Sequence, residues 1–344
     1  MSALDTTGEP PIAYMAGATA PTLGRKLKSA LNSSPAYMTV ILVLLVAFFS
    51  YVNPNFATTF NIRNVFLDAS TLMILAIGMT YVMIAGGFDL SIGSVLVFSG
   101  VLAAKVMEWL GTDNAGTVLI GLLVALGGGL AWGLFNGFCI SRLRVSALIT
   151  TLGTMGSALG LSYLITGGSD VRTVPNTLIK IGTGSAFGVP YLVIITVVFT
   201  IIGMVWLHMT KFGRHTYLVG SNPEASRRAG INVGNHQMAL YALSGLLAGV
   251  AAMLSLGRFS TTTLEGHGTD PLDAITAVVL GGTSLVGGSG TIIGTVIGVF
   301  IPAVLANGFI IMGVEPFWQM VVIGFVVIAA VYADQLKRGR RDRG

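Results

Sequence analysis

Four polar constellations stand out because the residues around them are almost entirely apolar. The first is Gly86-Gly87-Phe88-Asp89-Leu90-Ser91-Ile92-Gly93-Ser94, where Asp89 is a carboxylate with about twenty mostly apolar residues on either side. A carboxylate so placed must find donors. The hydroxyls of Ser91 and Ser94 and the glycine N–H groups are nearest in sequence, as a cap on a following helix. Two readings stand: Asp89 caps that helix, or it touches a solute. The second constellation is Pro271-Leu272-Asp273-Ala274-Ile275 running into Gly281-Gly282-Thr283-Ser284-Leu285-Val286-Gly287-Gly288-Ser289-Gly290, whose paired glycines and hydroxyls echo the first as a candidate internal parallel repeat. None of the six lysines stands in G-x-x-x-x-G-K-[ST], so the glycine string is no phosphate cradle.

The third constellation lies in the stretch from Thr210 to Ile231. Asn222 suits an N-cap, Pro223 the first helical position, and Glu224 the positive end of the helix dipole. Arg227 and Arg228 suit the negative end, and Gly230 the left-handed C-terminal position. A two-turn helix is marginal in water, so one capped this fully is expected to dock against something; the alternative is a solvated loop whose charge fixes topology. The fourth set is Asn136, beside Trp132 and Phe135, with Asn307. An amide at membrane depth either clamps a neighbouring helix or binds a solute hydroxyl, and the two aromatics either pack or stack on the apolar face of a solute. The four histidines read as surface or loop residues, and no H-E-x-x-H, G-x-S-x-G or metal-ligand spacing occurs, so no catalytic residue and no metal site is expected.

The elements that must position these groups are membrane helices. With 53% hydrophobic and 10% charged residues and a mean hydropathy of +0.81, the chain is a polytopic membrane protein. Its 46 glycines point to close helix packing and broken helices, and the single Cys139 excludes an internal disulfide. Apolar stretches near 36–52, 65–86, 88–109, 116–138, 146–166, 189–209, 237–256, 273–288, 291–313 and 316–333 predict an all-α polytopic bundle of about ten transmembrane helices. Asn53-Pro54-Asn55 follows the first stretch in place of a cleavage site, which makes it an uncleaved span. The connections at 86–90 and 288–290 are too short for ordinary loops, so broken or re-entrant segments are expected there. Residues 1–35 read as a disordered tail, 36–335 as the membrane domain with its loop at 210–236, and 336–344 as a basic tail.

An even number of spans puts both termini on one side. With the N-terminus inside, Arg25, Lys26, Lys28, Arg142, Arg144, Lys211, Arg214, Arg227, Arg228 and the five basic residues of the C-terminal tail make 14 of the 19 Lys and Arg cytoplasmic. The net charge of +5 is thus a topology signal and no nucleic-acid footprint. Tyr51, Trp109, Tyr191 and Trp318 fall at outer span ends, and Trp206, Tyr241 and Tyr332 at inner ends, as an interfacial belt.

The Gly86–Ser94 run, Phe212-Gly213-Arg214 followed by Gly220-Ser221-Asn222-Pro223-Glu224-Ala225 and Ala229-Gly230-Ile231, the run from Leu280 to Gly290, and Asn307-Gly308 together resemble the membrane permease of ribose-, xylose- and galactose-type ABC sugar importers. The similarity covers about residues 36–335. It implies an ATP-driven importer of a monosaccharide or related polyol working by alternating access in the bacterial plasma membrane, with both termini cytoplasmic. Its partners would be a second permease copy or paralogue, a cytoplasmic ATPase, an extracytoplasmic solute-binding protein and membrane lipid. This chain would hold no cofactor, ATP and Mg being bound by the partner ATPase. Asp89, Ser91, Asn136, Thr283, Ser284 and Asn307 would line or brace the solute path. Asn222, Pro223, Glu224, Arg227, Arg228 and Gly230 would form the helix coupled to the ATPase, and Arg63, Arg172, Lys180 and Arg258 would meet the binding protein. Permeases for nucleosides, quorum-signal furanoses or branched-chain amino acids resemble the pattern more distantly. An ion-coupled secondary carrier would need paired ionisable residues mid-membrane, whereas Asp68, Asp89 and Asp273 sit near span ends with no evident Lys or Arg partner beyond Lys105.

Overall fold

The computed structural model describes residues 34–315 together with 318, 321, 322, 324, 325, 328 and 332. Of the expected tails at 1–35 and 336–344, residues 1–33 and 336–344 lie outside the described residues, as does most of the expected last span, while residues 34 and 35 are already helical. The architecture is the expected all-α membrane bundle. Its helices are α1 Ser34–Val52, α2 Thr59–Ile84, α3 Ile92–Leu110, α4 Ala115–Ser141, α5 Ala147–Thr166, α6 Asn176–Thr183, α7 Tyr191–Met209, α8 Lys211–Ser221, α9 Pro223–Arg228, α10 Val233–Phe259, α11 Asp270–Leu280 and α12 Ile292–Ile311. Strands β1 Ser185–Ala186 and β2 Val189–Pro190 form a small antiparallel hairpin. Among the described residues, seven helices (α2, α3, α4, α5, α7, α10 and α12) are long and apolar enough to cross a bilayer.

The bundle is radially sorted. In α2 and α10, 78% and 83% of the apolar window is buried, against 28%, 28% and 22% in α4, α5 and α7. The first two are therefore central, and the last three turn residues such as Leu123, Ile149 and Ile201 outward, where lipid is as apolar as they are. The tightest seam joins α4 to α10. Gly129, Gly133 and Gly137 recur every four residues along one face of α4, and a Cβ at Gly129 would stand 2.0 Å from the Gly245 carbonyl oxygen. Backbones approach that closely only where side chains are missing.

Two ends of the bundle can be told apart by what caps them. One carries α6 and the hairpin, tied to α2 by Arg63 Nη2 donating to the Thr183 carbonyl at 3.1 Å. The other carries α8 and α9. The 210–236 stretch holds more structure than the expected capped turn: α8 is a second helix, started by Thr210 Oγ1 accepting from Gly213 N at 3.3 Å and burying Gly213, Thr216 and Val219.

Both short connections are breaks, as expected, but the second is wider than 288–290. Only Asp270–Leu280 of the predicted eighth span is helical, and irregular backbone runs from 281 to 291. The two breaks share one helix stop. Gly86 N and Gly87 N bond back to Met83 O at 2.9 Å and Val82 O at 2.9 Å; Gly282 N and Thr283 N bond to Val279 O at 2.8 Å and Val278 O at 3.1 Å. In each, the first of the pair is a left-handed glycine, φ +81 at Gly86 and +89 at Gly282. The same stop also ends α9 at Gly230 and α12 at Gly313, so it is a common C-terminal glycine motif and does not single out the repeat suspected from Gly-Gly.

Candidate functional site

The predicted path residues fall into separate groups. Asp89, Ser91 and Asn136 meet in one buried network, Asp89 being 2% exposed. Ser91 donates to Asp89 Oδ1 through its backbone N–H at 3.1 Å and its hydroxyl at 2.6 Å, and Ser244 on α10 donates to Oδ2 at 2.8 Å. Asn136 Nδ2 donates to Ser91 Oγ at 2.8 Å. The donors are thus Ser91 and Ser244 in place of Ser94 and the glycine N–H groups, and Ser91, not Asp89, holds the cap position of α3. Asp89 braces the 85–91 turn against α10, and Asn136 clamps α4 to the same turn. Tyr241, expected in an interfacial belt, is 3% exposed and donates its hydroxyl to Phe88 O at 3.0 Å, because the turn needs that donor more than the interface does. Trp132 packs edge-on against Phe98 and Phe135, both at 5.9 Å between centroids.

Thr283 and Ser284 lie in the second break, away from Asp89. Ser284 N donates to Ser289 O at 2.9 Å and its Oγ accepts from Val286 N at 3.2 Å, while the buried Thr283 hydroxyl has no protein partner. The two breaks touch at the α8 end, where Gly288 N donates to Ile84 O at 2.8 Å. Helix α8 lies directly against them: Tyr217 donates its hydroxyl to Gly290 O at 2.7 Å, and Ser221 abuts Gly288. Burial pushes the Tyr217 phenol up from its usual range.

The capped helix forms as read. Asn222 Oδ1 accepts from Ala225 N at 2.9 Å, Pro223 opens α9, and Glu224 pairs with Arg228 at 2.9 Å on an exposed face. Arg227 is exposed, and Gly230 takes φ +84 just beyond the C-cap.

Arg63, Arg172, Lys180 and Arg258 all lie at the hairpin end. Arg172 and Lys180 are exposed, and Arg63 is held by Thr183. Nearby, Thr177 donates its N–H to Asp113 Oδ1 at 2.8 Å, which holds that carboxyl below its usual range. Arg258 is different. It forms an ion pair with Asp68 and lies 5.0 Å from the Phe259 ring centroid, with 18% of its side chain exposed. Asp68 thus has the cationic partner that sequence reasoning did not find, because 190 residues separate the two.

That pair borders a cavity of about 500 Å³ among α2, α10, α11 and α12 in the hairpin-end half of the bundle. Asn307, the sixth path residue, lies in its wall, where Asn61 Nδ2 donates to its Oδ1 at 2.8 Å. His267 closes another side, its Nδ1–H donating to Asp270 Oδ2 at 2.7 Å and its Nε2 lying 3.0 Å from Ser255 Oγ. Asp273 and Thr71 belong to the wall, but their Oδ1 and Oγ1 atoms, which have no protein partner, are sealed from its open space. His236 is buried within α10, beside Thr216 Oγ1 at 3.0 Å, and so is neither the surface nor the loop residue expected, whereas His267, though buried, does lie in a loop. Among the described residues no three His, Cys, Asp or Glu side chains are disposed to hold a metal ion. Sequence reasoning named Asp68 and Asp273 without joining them and missed Ser244 and Thr71; a hydroxyl beside glycine within an apolar span, Ser244-Gly245, was the available signal.

The sequence profile described as branched-chain amino acid transport system / permease component matches residues 61–331. The ribose import permease protein RbsC of Escherichia coli K12 is 37% identical over 303 residues, covering 87% of this chain and 93% of the relative. The galactose/methyl galactoside import permease protein MglC of the same organism is 33% identical over 321 residues, with 88% and 94% covered. The L-arabinose transport system permease protein AraH, also from that strain, is 36% identical over 304 residues, with 88% and 90% covered. No solved structure matches the chain.

Proposed function

The chain belongs to the ribose-, galactose- and arabinose-type membrane permeases of ABC importers, and from that membership we infer that it is the membrane-spanning subunit of an ATP-driven importer of a monosaccharide or related polyol. It moves solute and leaves hydrolysis to a cytoplasmic ATPase, which binds ATP and Mg. It acts beside a second permease copy or paralogue, in the plasma membrane of a bacterium, and receives solute from an extracytoplasmic binding protein at the hairpin end. The α8–α9 end faces the cytoplasm, which agrees with Lys211, Arg214, Arg227 and Arg228 being there.

The observation that carries this reading is the mechanical continuity from α9 to the two breaks. A partner engaging α9 pushes on α8, whose Ser221 and Tyr217 rest on Gly288 and Gly290, and Gly288 is bonded to the end of α2. A rigid-body push there reaches both broken segments together, as alternating access about a central passage requires. An amino acid is the poorer cargo, because the relatives named above are import permeases for ribose, galactose and L-arabinose.

Reconstitution with an ATPase and a binding protein tests the coupling. Glu224→Arg places a positive charge at the positive helix end, and Gly230→Val forces a branched residue into a left-handed conformation; each is expected to weaken ATPase assembly and transport. Normal assembly and transport in both variants would remove α9 from the coupling role. Orientation is checked in a Cys139→Ser background: an impermeant thiol reagent applied from outside should label Glu265→Cys and spare Ala225→Cys. Both positions are exposed, whereas Thr262 and Ser226 nearby are buried and unsuited to the purpose.

A further inference from the structure

We propose that the groove enclosed by α4, α6, α7 and α10 holds one acyl chain of a bilayer phospholipid, drawn from the leaflet at the hairpin end. The groove is a space of about 510 Å³ whose lining side chains are all Leu, Ile, Val, Met or Phe, with Gly182 of α6 and Gly257 of α10 beside them. The site itself stands apart from the importer reading above.

Chemistry, access and length point to a lipid tail. Water finds no hydrogen-bond partner on such a wall, and apolar cavities stay dry, while an empty space forfeits the dispersion contacts of every side chain around it. A hydrocarbon chain restores those contacts. Helices α4 and α7 are spans that the bundle turns toward lipid, with Leu123 and Ile201 outward, so the groove between them continues the lipid-facing surface inward to α10. Helix α6 packs on α4, α7 and α10 and shuts the hairpin end, where a Cβ on Gly182 would stand 1.9 Å from the Gly257 carbonyl oxygen. Entry is therefore sideways, from the bilayer. On α10 the lining residues run from Leu243 to Gly257 in steps of three and four, along one helix face, and at 1.5 Å per residue that is roughly 21 Å. One leaflet's share of the hydrocarbon core is about 15 Å, so the groove takes a tail at its full depth. The chain after α12 sets out from beside α1, where Asn53 Nδ2 donates to Ile311 O at 3.2 Å, and neither α1 nor α12 lines the groove.

The groove also separates two bodies. Two hydrogen bonds fasten α7 to α2, Tyr81 Oη donating to Gly203 O at 2.7 Å and Thr196 Oγ1 to Ser70 O at 3.4 Å. Helix α10 is locked instead to α4, glycine backbone against glycine backbone. The groove lies between these pairs, and α7 leads into α8, whose Tyr217 rests on the second break. A fluid tail lets α7 shift against the α4–α10 seam without opening a void, because the tail is as apolar as the leucines it touches and follows their movement. This role, unlike the site, rests on the importer reading.

The test places the purified permease in vesicles of phosphatidylcholine brominated midway along its acyl chains, since bromine quenches tryptophan on contact. The four native tryptophans are replaced by phenylalanine. Phe199→Trp then reports from the groove, and Leu123→Trp, on the outward face of α4, reports on the surrounding lipid. Both should be quenched in the brominated bilayer. After extraction into an excess of unbrominated lipid and detergent, Leu123→Trp should recover at once, while Phe199→Trp stays quenched and mass spectrometry finds a single phospholipid retained per chain. An unquenched Phe199→Trp would mean that protein, such as a second copy, fills the groove, and recovery in step with Leu123→Trp would mean passing lipid only; either result overturns the site. Leu246→Phe with Val250→Phe fills the groove and should abolish the retained lipid, whereas lipid kept by that variant would show that it is bound elsewhere. In the full assembly the filled variant should import severalfold more slowly, and unchanged import would overturn the role of the tail as a yielding filler. Should the variant fail to fold, the quenching comparison still decides the site. Failure of the unaltered assembly to import D-ribose, D-galactose and L-arabinose would overturn the importer reading and leave the quenching result standing.

Discussion

Glycine does opposite work in two regions of this bundle. Along the α4–α10 seam its value is the missing side chain: Gly129, Gly133 and Gly245 sit within ordinary helix and let two backbones touch. At the 85–91 and 281–291 breaks its value is conformational, since Gly86 and Gly282 each stop a helix and release the chain into irregular backbone. The seam removes freedom and the breaks introduce it. Motion between the two ends must therefore be taken up at the breaks, while the seam moves as one body.

The largest effect should come from filling the seam. Gly245→Val would set a Cβ 2.1 Å from the Gly129 carbonyl oxygen, a backbone atom that cannot yield, so no monodisperse protein should survive extraction. Gly127→Ala, on α4 two residues from Gly129 and with nothing within 4 Å of the added methyl, should extract and melt like the parent; if the two variants behave alike, the seam is not the rigid element. Next comes Gly288→Val at the second break. Its Cβ would meet Ser221 Oγ at 2.6 Å, at φ +77. That protein should still fold, yet import should fall roughly tenfold or more, with ATP turnover uncoupled or lowered, because overpacking of about 1–3 kcal/mol falls on the moving joint. An unfolded Gly288→Val protein would erase the distinction between seam and break.

Asp89→Ala is expected to be milder in stability, about 1–3 kcal/mol, since it strands the Ser91 and Ser244 hydroxyls. Import should suffer more than binding-protein docking, and a double-mutant cycle with Ser244→Ala should show coupling between the two residues. Additive effects would mean that the turn is not braced through that bond. The smallest change belongs to Glu224→Gln, which removes an exposed i,i+4 pair with Arg228; about 0.3–0.5 kcal/mol of local helix stability is lost, and import should be unaltered.

What could be read from the sequence was local or periodic. Hydropathy located the spans, and the chemistry of Asn222, Pro223 and Gly230 specified both ends of α9, because a cap is decided within three or four residues. Helix α8 escaped notice although Thr210 caps its start, because Gly213 and Gly220 interrupt its pattern and the face it buries, Gly213, Thr216 and Val219, is small and only weakly apolar. The cavity beside Arg258 escaped because helices far apart in the sequence build its wall. Arg258 was counted among outward charges, and Asp68 was judged unpaired, because nothing in either neighbourhood points to a partner 190 residues away. Asp89 drew attention as a lone carboxylate, but its Ser244 donor becomes apparent only once α10 is laid against the turn.

The distance between Asp89 and Ser244 also sets a clock. They are 155 residues apart in the chain, and at synthesis rates of about 5–20 residues per second the carboxylate is made roughly 8–30 s before its donor. Throughout that interval Asp89 has only Ser91 beside it, and a buried charge so poorly matched is costly in lipid. The α2–α3 hairpin must therefore wait where water still reaches the turn, which closes over the carboxylate only after α10 has emerged. A nascent chain halted before Ser244 should keep Leu90→Cys reactive toward a water-soluble thiol probe, and one extended past Phe259 should protect it, so one of the earliest charges of this bundle is buried only after most of its helices have been made.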